Sequence, residues 1–220
     1  MSILLDLLFP RLCYGCSQIG SYFCPECTKK LTTGKLNHLT SSKIEAHLSL
    51  FNDSTVKQAI LDLKYNFVSD LAPSLAKISA YTLKKRFPLI VEYWRQSDFC
   101  FIPVPLHHYR QNWRGFNQAS LIGQSLAKFL NLPFNPNLVT KTKYTLTQAK
   151  TSHKVLRLKN QQSAFSFNSS SVIASKAKQS QPIIPQNIII FDDVYTTGAT
   201  STSLAKIFPQ NTSIWILSLV

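Results

Sequence analysis

Residues 188–200 read IIIFDDVYTTGAT, and this stretch decides the fold. Three isoleucines and a phenylalanine run directly into two aspartates, which are followed by threonines around one glycine. A continuous apolar run of this length predicts a strand that is buried on both faces, as in a parallel sheet. Open α/β sheets bind their ligands at the carboxyl ends of their strands. Asp192 and Asp193 are therefore predicted to lie where such a sheet binds a ligand.

Helical and extended patterns alternate along the rest of the chain. Helices are predicted over residues 54–67, 70–87, 119–129 and 200–208. Strands are predicted over residues 97–105, 137–141, 188–193 and 213–220, and a polar loop over 106–118. This alternation predicts the α/β class, with a mainly parallel sheet flanked by helices.

The residues after the apolar run predict a phosphoribosyl site. Two adjacent carboxylates repel each other unless hydroxyl donors or a cation share them. A ribose offers two neighbouring hydroxyls, and magnesium prefers oxygen ligands. The predicted phosphate-binding residues, whose hydroxyls and backbone N–H groups can converge on phosphate oxygens, are Thr196, Thr197, Gly198, Ala199 and Thr200. The alternative is a strand end followed by an ordinary helix cap rich in serine and threonine.

Four of the five cysteines form two closely spaced pairs near the start of the chain. They are Cys13, Cys16, Cys24 and Cys27, in the pattern CxxC, seven residues, CxxC. Four thiolates at this spacing predict one closed, structural zinc site. The alternatives are two disulfides, for which nothing marks the chain as secreted, or a redox dithiol, which needs only one pair. Cys100 is predicted to be a small buried apolar residue.

The charge balance points to a polyanionic partner. The chain has 220 residues and a formal net charge of +14. The sharper interpretation is nucleic acid, since each neutralised phosphate releases counterions, and the alternative is a basic surface that only aids solubility. No apolar run is long enough to span a bilayer, and MSILLDLLFP is predicted to be a short packing helix rather than a signal peptide. The expected location is therefore the cytoplasm.

Several segments together resemble one family. The stretch IIIFDDVYTTGAT resembles the phosphoribosyl-pyrophosphate motif of type I phosphoribosyltransferases. The segments CYGC…CPEC, ILDLKY, IPVPLHHYRQNWRGFNQA and TLTQ…RLKN…AF occur in the order found in the ComF family, which includes the GntX group. The resemblance covers nearly the whole chain except residues 168–187, whose Ser, Gln and Lys content indicates an insertion or flexible linker.

The resemblance implies a type I phosphoribosyltransferase fold and a set of site residues. Residues 1–50 are expected to form an N-terminal helix and zinc knuckle, and residues 51–220 the phosphoribosyltransferase-like domain. Pyrophosphate is expected to bind at Pro103, Val104, Pro105, Arg110 and Arg114. The alternatives are a basic loop that faces solvent, and a helix start at Asn117 and Gln118. The segment 143–160, with Thr145, Gln148, Arg157 and Asn160, takes the place of the family's mobile loop.

Two functions follow from the resemblance. As an enzyme, the protein uses magnesium and transfers a phosphoribosyl group from phosphoribosyl pyrophosphate to an unknown acceptor. Asp192 and Asp193 are then the catalytic carboxylates. As a DNA-uptake factor, it binds single-stranded DNA and works with uptake proteins such as a competence helicase. Aromatic residues among the cations, namely Tyr109, Trp113 and Phe116, either stack on bases or anchor the loop to the core.

Overall fold

The computed structural model describes residues 10–38, 43–142, 164–168 and 184–220. Three sequence predictions fall wholly or mostly outside these residues. They are the packing helix at the start of the chain, the counterpart of the family's mobile loop with its four matching residues, and the insertion at 168–187.

The described residues form an α/β structure around a five-stranded sheet, as predicted. The strands are β1 (Leu36–His38), β2 (Ile44–Ser49), β3 (Cys100–Pro103), β6 (Asn187–Asp192) and β7 (Ser213–Ser218), in the order β1-β2-β7-β6-β3. The three pairings within β2-β7-β6-β3 are parallel, and β1 alone runs antiparallel to its neighbour. Strands β4 (Val139–Lys141) and β5 (Phe165–Phe167) form a separate antiparallel pair.

Strand β6 lies between the two apolar clusters of the core. Its residues Ile188, Ile189, Ile190 and Phe191 have no exposed surface. Because side chains alternate across a strand, Ile189 and Phe191 join the larger apolar cluster on one face, while Ile188 and Ile190 join the smaller cluster on the other. The continuous apolar run therefore marks a strand that is covered on both sides.

Helices cover both faces of the sheet. In the described part of the chain they are α1 (Pro25–Lys30), α2 (Ser54–Tyr65), α3 (Leu71–Arg86), α4 (Pro88–Gln96), α5 (His108–Arg114), α6 (Gln118–Leu130) and α7 (Ala199–Ala205). The buried residues of α2, α3 and α6 belong to the larger apolar cluster, and Leu204 of α7 belongs to the smaller one. None of these helices combines the length and the apolar character that a membrane crossing needs.

The predicted polar loop at 106–118 is wrong, because residues 108–114 form helix α5. The His107 ring caps its first turn by accepting the Tyr109 N–H, and Gly115 ends it in the left-handed region at φ 78°. Glycine adopts this conformation at little cost, whereas most residues do not. Histidine is not a common N-cap residue, so the sequence gives only a weak signal for this helix.

Strand β2 ties the N-terminal segment into the sheet. Residues 44–49 pair with β7 apart from an irregularity between Ile44 and Ala46, and their apolar side chains are buried, Ala46 and Leu48 in the larger cluster and Ile44 in the smaller one. The sequence patterns had assigned no strand here. The division of the chain into two units near residue 50 stays a prediction.

Asn117 links helix α6 to the end of β3, and its replacement tests this link. Its Oδ1 accepts the N–H groups of Ala119 and Ser120, while its Nδ2 donates to the Val104 carbonyl at 3.0 Å. We expect Asn117→Ala to lower the free energy of unfolding by about 1–2 kcal/mol, because a helix cap and a bond to the loop are both lost.

The matched variant for this test is Asn117→Asp. It keeps the cap acceptor and removes only the donor to Val104, so we expect a smaller loss than for Asn117→Ala. Urea denaturation followed by circular dichroism measures both values. Equal losses for the two variants would contradict the capping role.

Candidate functional site

A concave site opens at the carboxyl end of β6. It is open to solvent and is lined by Asp192 and the segment from residue 194 to residue 201. The predicted phosphate-binding residues and one of the two aspartates are thus brought together here. The accessible lining is almost entirely polar.

The two aspartates lie close together but have different further partners. Asp192 lies on the same face of β6 as Ile188 and Ile190. It is close enough to Lys141, at the end of β4, to oppose the lowering of that lysine's pKa by burial. Asp193 lies on the side of helix α2, where its Oδ2 is 2.7 Å from the Lys64 Nζ. The adjacent carboxylates therefore have different partners, and Asp192 is the one that lines the site.

The Asp193–Lys64 ion pair is almost fully removed from water. Asp193 is 3% exposed, and the Lys64 side chain is 16% exposed. A buried carboxylate without a cation would be strongly destabilising, so each partner depends on the other. The sequence reasoning placed Lys64 on a helix but gave it no role at this site.

The pKa of the Asp192 carboxyl is raised by its surroundings. Burial and the neighbouring Asp193 raise the pKa of Asp192 to about 8, and Lys64 partly opposes this. Its Oδ1 accepts the N–H of Asp193 at 3.0 Å. At neutral pH the free carboxyl is therefore largely protonated, whereas a cation or a pair of hydroxyl donors would favour the ionised form.

Tyr195 shapes the loop that carries the predicted phosphate-binding residues. Gly198 is buried in the left-handed region at φ 65°, and a Cβ there would collide with the Tyr195 hydroxyl. The Tyr195 ring in turn stacks on His47 at a centroid distance of 3.6 Å. Burial lowers the pKa of His47 to about 4, so the imidazole is neutral, and its Nε2 lies 3.0 Å from the Ser218 Oγ.

Ser201 offers a further polar group at the same site. It lines the cleft, is 1% exposed, and its Oγ has no hydrogen-bond partner among the described residues. A buried hydroxyl without a partner is unfavourable, and a ligand oxygen or water can supply the missing bond. The phosphate-binding residues predicted from the sequence end at Thr200 and do not include Ser201. The hydroxyl of this next residue is the feature that could have indicated it.

Cations surround the aspartates. Burial lowers the pKa of Arg114, and the charges of Tyr65 and Asp193 oppose this effect. Burial and the nearby Arg110 lower the pKa of Lys141, and Asp192 opposes them. Of the two predicted arginines, Arg114 is therefore close enough to interact with Asp193, and Arg110 interacts with Arg114 and Lys141. Lys64 and Lys141 join them, although neither was among the predicted site residues.

The segment Pro103–Pro105 leads from β3 toward this site. The Val104 N–H donates to the Phe191 carbonyl at 2.8 Å, so the loop is attached next to Asp192. Residues 103–105 and both arginines do not line the cleft itself. Their predicted role in holding pyrophosphate stays a prediction.

The four paired cysteines lie together as predicted. The Sγ atoms of Cys13, Cys16, Cys24 and Cys27 are all within 4.8 Å of one another. Those of Cys16 and Cys24 are 3.8 Å apart, the separation expected for sulfurs about 2.3 Å from a tetrahedral zinc. All five cysteines of the chain carry free thiols, and the alternative of two disulfides is not the arrangement in the structure.

The surroundings of the thiols fit a metal. Burial raises the pKa of Cys13, but backbone N–H donors from Cys24, Gly15 and Cys16 outweigh it and lower the value to about 6. A Cβ on Gly15 would lie 2.7 Å from the Cys27 Sγ, so glycine is needed for the cluster to close. The arrangement is consistent with a structural zinc ion, held by four ligands with no open position.

Two tyrosines attach the cysteine element to the helical layer. The Tyr14 hydroxyl donates to Asp62 of α2 at 2.6 Å, and the Tyr22 hydroxyl donates to the carboxylate of Asp70 at 2.8 Å. Arg11 lies 3.6 Å from the same Asp70 carboxylate. The cysteine element is therefore fixed against the helices rather than suspended from a linker.

Fold and site define an α/β protein with a mostly parallel sheet, a polar cleft at its carboxyl edge and an N-terminal four-cysteine cluster. Comparison with known proteins narrows this class, because the chain is similar in sequence to competence and DNA utilization proteins of the ComF/YhgH group. No protein-family model matches the chain.

Three relatives illustrate the similarity. The chain is 40% identical over 106 residues to Competence protein F of Haemophilus influenzae, covering 48% of the chain and 42% of the relative. It is 32% identical over 120 residues to DNA utilization protein YhgH of Escherichia coli K12, covering 53% and 47%. It is 24% identical over 204 residues to Competence protein ComFC of Bacillus subtilis, covering 86% and 74%. The chain spans about half the length of the first two of these relatives.

We expect the purified protein to contain about one zinc ion per chain, because the thiols form a single closed cluster. Inductively coupled plasma mass spectrometry measures the metal content. Cys16→Ser should lower the zinc content strongly, whereas Cys100→Ser, at a thiol outside the cluster, should leave it unchanged. A folded wild-type protein with no metal and four reactive thiols would contradict the site.

Proposed function

We propose that the protein acts in DNA uptake, binding a phosphoribosyl-pyrophosphate-type ligand with magnesium and also single-stranded DNA. The observation that carries the ligand is the cleft in which Asp192 faces the segment 196–201. The names of its relatives, competence and DNA utilization proteins, support the DNA role. Its proposed partners are other DNA-uptake proteins, such as a competence helicase.

The ribose is expected to bind at Asp192. Its carboxylate, once ionised, accepts hydrogen bonds from two neighbouring hydroxyls, which neither a protonated carboxyl nor an amide does equally well. Asp193 holds the strand end in place through Lys64, at 2.7 Å. The two carboxylates thus contribute differently to one site.

The 5′-phosphate is expected to bind along residues 196–201. Thr196, Thr197 and Thr200 are exposed, and Ser201 offers a buried hydroxyl that lacks a partner among the described residues. Gly198 keeps the loop in the conformation that Tyr195 supports. Hydroxyl and backbone donors suit the oxygens of a phosphate.

The pyrophosphate is expected to lie toward residues 103–105, with Arg110, Arg114 and Lys141 as the nearby cations. Arginine offers a planar fork that matches phosphate oxygens. Magnesium, when bound, neutralises charge on the pyrophosphate and would be attracted by the Asp192 carboxylate. This set of cations and carboxylates supports a ligand that carries both phosphates and hydroxyls.

A second candidate is an active phosphoribosyltransferase without a DNA role. The same cleft favours it, because carboxylates and cations at the two ends of the ligand suit bond breaking at C1. A nucleophilic acceptor would form a bond to C1 as the bond to pyrophosphate breaks, and the cations would accept the leaving group's charge. Release of pyrophosphate with a nucleobase or amine acceptor would distinguish this candidate.

Asp192→Asn should weaken binding of phosphoribosyl pyrophosphate with magnesium by tens-fold, because charge-assisted hydrogen bonds contribute about 1.5–3 kcal/mol each. Asp193→Asn should act mainly on folding, since it leaves Lys64 buried and unpaired, and should lower the free energy of unfolding by about 3 kcal/mol. Calorimetry and urea denaturation measure the two effects. Glu92→Gln, an exposed carboxylate on α4, is the control that removes one charge elsewhere.

The pH dependence provides a second readout for Asp192. Because the ligand needs the ionised carboxylate and the free group has a raised pKa of about 8, binding should release a proton at pH 7. Affinity should therefore rise as the pH increases from 6 to 8. In Asp192→Asn the released protons and the pH dependence should fall to the part that the ligand itself contributes. Equal affinities in wild type and Asp192→Asn would overturn the ribose assignment.

Affinity for single-stranded DNA should fall steeply with salt, because binding by a chain of net charge +14 depends on phosphate contacts. If about four phosphates are neutralised, log affinity should fall with log salt at a slope of about −3. Fluorescence anisotropy of a labelled oligo(dT), measured from low to moderate sodium chloride, tests this. A flat titration, or no binding at low salt, would contradict the DNA role.

A further inference from the structure

Three exposed aromatic side chains meet around one arginine beside the candidate site. Tyr65 is 57% exposed, Phe67 46% and Trp113 65%. The Phe67 and Trp113 rings meet edge to face, with centroids 5.9 Å apart. The Arg114 guanidinium lies 5.6 Å from the centroid of Tyr65 and 6.0 Å from that of Trp113. We call these four residues the aromatic platform.

The platform is held in place from several sides. Tyr65 is the last residue of α2 and Trp113 lies in α5, so two helices present the rings. The Arg114 Nη1 donates to the Oε1 of buried Gln118 at 2.7 Å, which fixes the guanidinium. Phe67 has a φ of 57°, a conformation that bulky residues rarely adopt. A strained backbone that displays an apolar ring to solvent calls for a functional reason.

We propose that unpaired bases of single-stranded DNA stack on the aromatic platform. This inference rests on the proposed function, to which it adds the residues that contact the bases. Base faces stack on aromatic rings without regard to sequence, and an arginine between the rings adds attraction to both bases and phosphates. In duplex DNA the base faces are covered by their neighbours, so the platform suits a single strand.

The charges around the platform support a polyanionic occupant. Arg114 is part of it, Lys64 directly precedes Tyr65, and Arg110 lies near enough to affect the pKa of Arg114. The chain as a whole carries a net charge of +14. A nucleic acid strand satisfies both the aromatic rings and the positive charge, whereas a purely apolar partner would bury Arg114 against no anion.

The platform lies beside Asp193, the residue that follows Asp192 of the cleft. Lys64, which holds Asp193, adjoins Tyr65 in α2, and Arg114 senses the charge of Asp193. A strand that stacks on the platform is therefore close to the sheet edge where the phosphoribosyl ligand is proposed to bind. The same region would handle both the sugar phosphate and the DNA.

The platform differs from the aromatic set considered on sequence alone. Phe116 is half-buried and packs against the larger apolar cluster, which matches the alternative of a core anchor. Tyr109 is exposed, but its ring stacks on His107 with centroids 5.3 Å apart. Trp113 remains, and its partners Tyr65 and Phe67 come from a distant part of the sequence.

The experiment compares two oligonucleotides of equal length and charge, oligo(dT) and an abasic strand of the same sugar-phosphate backbone. We expect the wild-type protein to bind oligo(dT) at least about tenfold more tightly, because only this strand carries bases that stack. Trp113→Ala and Phe67→Ala should each lose most of this preference while still binding the abasic strand at wild-type affinity. Anisotropy at a fixed low salt concentration measures all the affinities.

Tryptophan fluorescence gives an independent readout on the unaltered protein. The chain has three tryptophans, of which Trp94 and Trp215 are buried and Trp113 is exposed. Stacking of a base on Trp113 should quench the emission with oligo(dT) and leave it nearly unchanged with the abasic strand. This measurement does not depend on whether a variant folds.

The matched control is Tyr81→Ala. Tyr81 is an exposed tyrosine on α3 with Lys85 5.4 Å from its ring centroid, so it is an aromatic–cation pair outside the platform. Its loss should leave the preference for oligo(dT) unchanged. If wild type binds neither strand, the proposed DNA role fails, and the platform with it. If wild type binds both strands equally, or Trp113→Ala and Phe67→Ala keep the preference, the platform proposal alone is overturned.

Discussion

The ion pair between Lys64 and Asp193 is the contact on which the candidate site depends. It joins the last turn of α2 to the end of β6, with both charged groups largely removed from water. A buried carboxylate keeps its charge only beside a fixed cation, so the strand end and the helix end hold each other in place. Tyr65, which begins the aromatic platform, and Asp192, which lines the cleft, are the immediate chain neighbours of this pair.

The two consecutive aspartates do different things because they have different partners. Asp192 follows Ile188 and Ile190 to one side of the sheet, where it reaches the cleft and senses Lys141. Asp193 faces helix α2 and forms an ion pair with Lys64. Lys64 pairs directly with Asp193 and only partly offsets the effects of burial and of Asp193 on Asp192, which keeps a raised pKa that a ligand can lower. Of the two adjacent aspartates, Asp193 therefore stabilises the strand end through Lys64, and Asp192 lines the cleft.

Local patterns predicted strand β6, three of the longer helices and the cysteine cluster. The apolar run at 188–191 and the paired spacing of Cys13, Cys16, Cys24 and Cys27 contain enough information by themselves. Helix α5 was missed because a histidine caps it, and strand β2 because its mixed sequence is buried only by pairing with β7. Lys64 and Lys141 were missed as site residues because their proximity to the aspartates arises from packing between elements far apart in sequence.

The bond from Tyr14 to Asp62 has a consequence for the helix that carries it. Asp62 and Lys64 are two positions apart, and at 3.6 residues per turn they point about 200° away from each other around the helix axis. The cysteine element therefore grips α2 from one side while Asp193 grips it from the opposite side. The two contacts therefore fix the rotation of α2 about its own axis. One residue added between Asp62 and Lys64 would rotate one side chain by about 100° relative to the other, so that only one of the two contacts could form.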